Sequence, residues 1–208
     1  MRTENKPQVV VITGAGAGVG RATVREFARN GCHIGLIARD RERLEQAAAE
    51  VRDLGGQATV CVADVADAAH VEAAAAAVEA AFGPFDVWIN DAMATIYSPF
   101  SEISAEDYKR ATEVTYLGAV YGTMAALRRM KPQDHGVIVQ VGSALAYRAI
   151  PLQSPYCGAK FAIRGFTDAL RSELLHDRSK VRVTMVQMPA LTPPQFDWRK
   201  NHTPTRPP

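Results

Sequence analysis

Short apolar runs alternate along the chain with longer stretches in which apolar residues recur every three or four positions. Residues 9–13, 33–38, 58–63, 86–90, 136–141 and 181–187 are rich in β-branched residues and almost wholly apolar. They lack the polar alternation of a half-exposed sheet, so they predict strands covered on both faces. The helical period occupies 21–30, the stretch from Asp40 to about residue 54, then 68–82, 105–130 and 154–177. Punctuation agrees with these bounds. Asp40 and Ser104 are placed as N-caps, Gly31, Gly55-Gly56 and Gly83-Pro84 as stops, and Pro155 falls in a first turn, where proline is tolerated. Six strands alternating with helices predict a three-layer, doubly wound parallel α/β sheet with right-handed crossovers and strand order 3-2-1-4-5-6.

The pattern stops at Pro189. Six of the twelve prolines lie in the last twenty residues, with Phe196 and Trp198 among them. The expectation is one domain over 1–188, followed by a Pro-rich flap or disordered tail over 189–208, which leaves the sixth strand as a sheet edge.

Composition narrows the class little further. At 208 residues, 47% hydrophobic and 22% charged, the chain suits one soluble domain. A net charge of +2 without a long basic run argues against nucleic acid as a partner. No stretch reaches the roughly 18 apolar residues of a membrane span, and the polar N-terminus does not resemble a signal peptide. A cytoplasmic protein is expected, with Cys32, Cys61 and Cys157 as reduced, buried thiols and no metal site.

The first chemical signal is Thr13-Gly14-Ala15-Gly16-Ala17-Gly18-Val19-Gly20, lying between the first strand and the first helix. Glycines there permit a tight turn and close approach of backbone to a pyrophosphate, and the helix start offers free N–H groups. A GxGxxG alone is weak evidence. At the first βα junction it points to a Rossmann-type dinucleotide site.

The T-G-x-x-x-G-x-G spacing resembles the short-chain dehydrogenase/reductase family, and further matches follow in order. Asp64-Val65 resembles the pair that holds adenine. Asn90-Asp91-Ala92-Met93 stands where the family usually has Asn-Asn-Ala-Gly. Gly142-Ser143 and Tyr156-Cys157-Gly158-Ala159-Lys160 match the catalytic serine and the Tyr-x-x-x-Lys signature. The likeness runs from Val9 to Met188 and implies hydride transfer between a nicotinamide dinucleotide and a small carbonyl or alcohol, in a protein that can assemble as a homo-oligomer. Thr115 falls where the family has an asparagine that holds a relay water. Pro189 and Thr192 fall near the segment that contacts the carboxamide. The family normally continues beyond this point with a substrate-covering helix and a further strand.

Cofactor choice turns on the end of the second strand. An NAD enzyme places an acid there for the ribose hydroxyls; this chain has Ala38 followed by Arg39. A guanidinium suits a 2′-phosphate, so NADP is expected, with NAD as the alternative.

Tyr156 and Lys160 lie one helical turn apart. Such a pair arises on the order of once in a few chains by chance. Here it opens the helix after the fifth strand, where open α/β sheets bind ligands, and Ser143 reaches the same cleft. A phenol can deliver the proton that carbonyl reduction needs, and a neighbouring ammonium is expected to lower its pKa. Ser143 would bond the substrate oxygen, and Lys160 the nicotinamide ribose. A non-catalytic dinucleotide sensor of the same fold is the competing reading, favoured by Thr115 and Asp91. An epimerase or dehydratase would need a different glycine spacing.

Overall fold

The structure is a computed structural model that describes residues 7–189 and the short strand Lys200–Asn201. Its main sheet comprises β1 (Val9–Thr13), β2 (His33–Ala38), β3 (Gln57–Val62), β4 (Val87–Asn90), β6 (Val137–Ser143) and β7 (Arg182–Met188). All pairings are parallel, and the order is β3-β2-β1-β4-β6-β7. With the two-residue β5 (Ile96–Tyr97) set aside, this is the expected 3-2-1-4-5-6 arrangement.

Strand β1 shows why its run is unbroken. Val10 and Ile12 enter one core with residues of α1 (Gly18–Arg29) and α2 (Arg41–Asp53). Val9 and Val11 enter the other, with residues of α3 (Ala68–Phe82), α5 (Gly118–Met130) and the end of α6 (Ser154–His176). Both pleat faces are therefore buried, so polar alternation would leave unpaired groups in a core. Glu50 joins the two helices of the first layer, accepting from Arg21 at 2.9 Å and from Arg25 at 2.8 Å.

The predicted helix over 105–130 is in two parts. α4 (Ala105–Thr112), capped by the Ser104 hydroxyl on Asp107 N–H, passes through a π turn at Glu113–Leu117 into α5. Helix α1 begins three residues earlier than expected, because Gly18 and Val19 are already helical. The strand before the catalytic segment extends to Ser143, held by parallel pairing of Ser143 with Met188. One expectation is corrected: Lys200–Asn201 forms a strand, pairing in parallel with Ile96–Tyr97. Thr192 and the rest of the Pro-rich segment lie outside the described residues. No helix among those described is long and apolar enough to cross a membrane.

Candidate active site

The carboxyl ends of β1, β2, β3 and β4 surround a cavity of about 550 Å³. Its floor is the glycine loop. Gly14 has φ +74°, and a Cβ on it would lie 3.0 Å from Ala92 N. Its own N–H donates to Ile37 O at 2.8 Å, tying the loop to β2. The N-cap of helix α1 is Ala17, which offers no side-chain cap, so the N–H groups of Gly18 and Val19 remain available to an anion. Gly16 and Ala17 line the cavity, Gly18 and Val19 open the helix, and Gly20 is packed beneath the loop. Thr13 is buried. Its hydroxyl accepts from Asp91 N and Ala92 N, both at 3.1 Å, and so joins the glycine loop to the loop after β4.

Past the end of β3, Asp64 accepts from Ala66 N–H at 3.0 Å and from Arg110 at 2.6 Å. Burial pushes its carboxyl up, but those two bonds and the charges of Arg110 and Arg39 outweigh it and hold the group below its ordinary value. Val65 is buried beside it. Arg39 and Arg43 both line the cavity near Ala38, and no carboxylate side chain stands at the Ala38 position. The sequence reading missed Arg110 and Arg43. A signal for Arg110 existed: Asp107, Arg110, Ala111 and Val114 share one face of α4 and its continuation, and all four line the cavity.

The Asn90 side chain is committed to the scaffold. Its oxygen accepts from Trp88 Nε1 at 2.8 Å, while its nitrogen donates to Ala119 O, Thr123 and Gln140. Ala92 lines the cavity, and Pro189 is exposed just past β7.

The catalytic candidates stand together where β6 ends and α6 begins, and none of the three lines this cavity. Ser143 ends β6, and its Oγ accepts from Leu145 N–H at 3.1 Å. The Ser143 hydroxyl is close enough to the Tyr156 phenol to favour its ionised form. The Lys160 amine lies 5.5 Å from the centre of the Tyr156 ring and donates to Val141 O at 2.6 Å. Burial pushes the Tyr156 phenol above its ordinary value, with the Ser143 hydroxyl opposing and the Asp91 charge adding to the rise. The expected lowering by Lys160 is absent from the chain on its own: the amine does not contribute to the shift, and the cost of burying a phenolate dominates it.

Thr115 sits in the π turn, fully buried. Its hydroxyl donates to Ala94 O at 2.8 Å and accepts from Ala94 N at 2.9 Å. A hydroxyl has two acceptor lone pairs, so one remains for a water. No cluster of three or more metal-ligating side chains occurs among the described residues.

This chain belongs to the short chain dehydrogenase family, whose profile matches residues 8–204. Among curated relatives, the uncharacterized oxidoreductase YxnA of Bacillus subtilis (strain 168) is 35% identical over 182 residues, covering 87% of this chain and 51% of the relative. The 3-dehydrosphinganine reductase of Danio rerio is 33% identical over 192 residues, covering 90% and 57% respectively. The chain thus spans a little over half the length of these two relatives. Solved structures agree on the fold. A short chain dehydrogenase/reductase from Burkholderia phymatum in complex with NAD superposes with a TM-score of 0.89 at 26% identity, over 92% of this chain and 69% of that one. The alcohol dehydrogenase from Thermococcus sibiricus complexed with 5-hydroxy-NADP gives a TM-score of 0.83 at 30% identity, over 95% and 82%.

Proposed function

We propose that this chain carries an NADP(H)-dependent oxidoreductase acting on the carbonyl or alcohol of a small organic substrate, with Tyr156 as general acid/base. The observation that carries the reading is that Ser143, Tyr156 and Lys160 come together where β6 ends and α6 begins, in a chain whose β1 end holds a glycine-floored cavity. The residues present fit a dinucleotide. The cradle at Gly14 has no room for a Cβ, the start of α1 is uncapped, and Asp64 and Val65 stand at the far end.

A bound nicotinamide dinucleotide supplies or accepts the hydride. The chain's own residues do the rest. Backbone N–H groups of Gly18 and Val19 would hold the phosphates. Arg39, with Arg43 beside it, takes a 2′-phosphate, which is the reason for favouring NADP over NAD. Ser143 orients the substrate oxygen, Tyr156 gives it a proton or takes one, and Lys160 brings positive charge to the phenol and a donor to the ribose. Thr115 holds a water on its remaining lone pair. With an oxidised cofactor bound, its positive charge would join that of Lys160 in favouring the Tyr156 phenolate, against the burial that raises the phenol in the chain alone. Relatives and neighbours named as oxidoreductases, and neighbours solved with NADPH, NAD and NADP complexes, support this reading. A cytoplasmic setting is part of it, consistent with three free, buried cysteines.

The test is fluorescence titration with NADPH and NADH, followed by a panel of aldehydes, ketones and alcohols. Tighter NADPH binding together with turnover is the expected result. NADPH binding without turnover on any of them would favour the sensor reading, and absence of dinucleotide binding would overturn both.

A further inference from the structure

Past the end of β3 the cavity wall combines apolar side chains with a charged pair. Val65, Ala111 and Val114 supply the apolar part, and Asp64 and Arg110 line the cavity among them. The pair joins two elements 46 residues apart: Arg110 Nη2, on α4, donates to Asp64 Oδ2 at 2.6 Å. The other carboxylate oxygen, Oδ1, accepts from Ala66 N–H at 3.0 Å. One oxygen is thus fixed to the main chain and the other to a guanidinium, which leaves the carboxylate one orientation. A carboxylate can accept about four hydrogen bonds, so each oxygen keeps a lone pair for a donor in the cavity. The two side chains are 37% and 30% exposed, so their attraction adds little to stability. What the pair does fix is the direction in which Asp64 accepts.

The order of the sheet says what lies opposite. β1, β2 and β3 are neighbours, and their carboxyl ends line the cavity in turn: the glycine loop, then Ala38 and Arg39, then Asp64 and Val65. A nucleotide with its phosphates at the glycine loop and its ribose at Ala38 and Arg39 has its base at Asp64. An apolar wall suits the face of a purine. A fixed carboxylate on its rim accepts from a 6-amino group, whereas a 6-oxo group offers it only lone pairs.

We propose that Arg110 is a positioning residue for cofactor recognition: it clamps Asp64 as a fixed acceptor and so makes the cavity select a 6-aminopurine over a 6-oxopurine. The inference rests on the dinucleotide reading of the cavity and adds to it a residue on α4 that acts through Asp64.

The test is equilibrium binding of NADPH and of its hypoxanthine analogue, in which oxygen replaces the 6-amino group, to the parent, Arg110→Gln and Arg110→Lys. The parent should bind NADPH about tenfold or more tighter than the analogue, as expected when a charged acceptor loses its donor. In Arg110→Gln the preference should shrink to about threefold or less, with the loss falling on NADPH and the analogue held within about twofold. Arg110→Lys keeps the charge without the fork and should lie between the two. A tie that merely fastens α4 to the sheet would weaken both nucleotides alike, so equal losses would overturn the proposal. Equal affinities in the parent would overturn it as well, and that measurement needs no variant to fold. The proposed function fails separately. A preference that depends on Arg110, in a chain without turnover, keeps the positioning role and removes the catalytic reading. Turnover with NADPH and no preference for the amino group does the reverse, and a chain that binds neither dinucleotide overturns both.

Discussion

Replacing Thr115 with valine removes one hydroxyl and almost nothing else, because the two side chains have nearly the same shape. The hydroxyl is bonded to both main-chain groups of Ala94, at 2.9 Å and 2.8 Å, and Thr115 is 1% exposed. Thr115→Val therefore leaves a donor and an acceptor without partners. An unsatisfied buried polar group costs about 1–3 kcal/mol. Ala94 is half-buried, so water recovers part of this, and a total of about 2–3 kcal/mol is expected. For a chain of this size that is a fall of about 5–10 °C in Tm. Urea and thermal unfolding would measure it, with Thr115→Ser as the control that keeps both bonds and loses only a methyl. Cofactor affinity should weaken as well, since the loop from Asp91 to Thr95 lines the cavity. A valine variant within about 0.5 kcal/mol of the parent would show that the π turn is not fastened to this loop through the hydroxyl.

Three further outcomes follow from the geometry. A Cβ in Gly20→Ala would lie 2.3 Å from Gly14 O and 2.8 Å from Asp91 Oδ2, so α1 must shift. Unfolding should show a loss of about 1–3 kcal/mol, and titration should show NADPH affinity falling about tenfold or more. Arg39→Ala should weaken NADPH by about 1–3 kcal/mol and NADH little; equal losses in fluorescence titration would place the 2′-phosphate elsewhere. Bonds from Arg25 and Arg21 hold the Glu50 carboxyl at about 2, below its ordinary 4.5. A lowered carboxylate pKa stabilises the fold above 4.5, and that stabilisation is lost as pH falls from 4.5 toward 2. Glu50→Gln should remove this pH dependence and cost about 1 kcal/mol at neutral pH, discounted because the pair is partly exposed.

Much of this was legible in the sequence, for physical reasons that can be named. Strands buried on both faces leave unbroken apolar runs, so five of the six central strands lie within a residue of their expected bounds at both ends, and β6 differs only by running on to Ser143. Caps are local, and Asp40 and Ser104 accept from Arg43 N and Asp107 N as their positions implied. The glycine loop, Tyr156 and Lys160 were visible because their spacing is itself the signal. What depends on distant partners was not. The π turn is fastened through Thr115 to Ala94, 21 residues earlier in the chain. The Arg110–Asp64 pair joins α4 to the end of β3. The rise in the Tyr156 pKa arises from burial, which no residue spacing reports.

The central claim is that Tyr156 carries the proton while the dinucleotide is held by other residues. It is tested most directly by turnover of purified Tyr156→Phe, measured on a substrate the parent accepts and set beside its NADPH dissociation constant. The ring and its packing survive this change, and only the hydroxyl is lost. General acid catalysis contributes about 10²–10⁴-fold, so turnover should fall by at least that order while the dissociation constant stays within about twofold of the parent. Turnover within a few-fold of the parent, at unchanged NADPH affinity, would contradict the account.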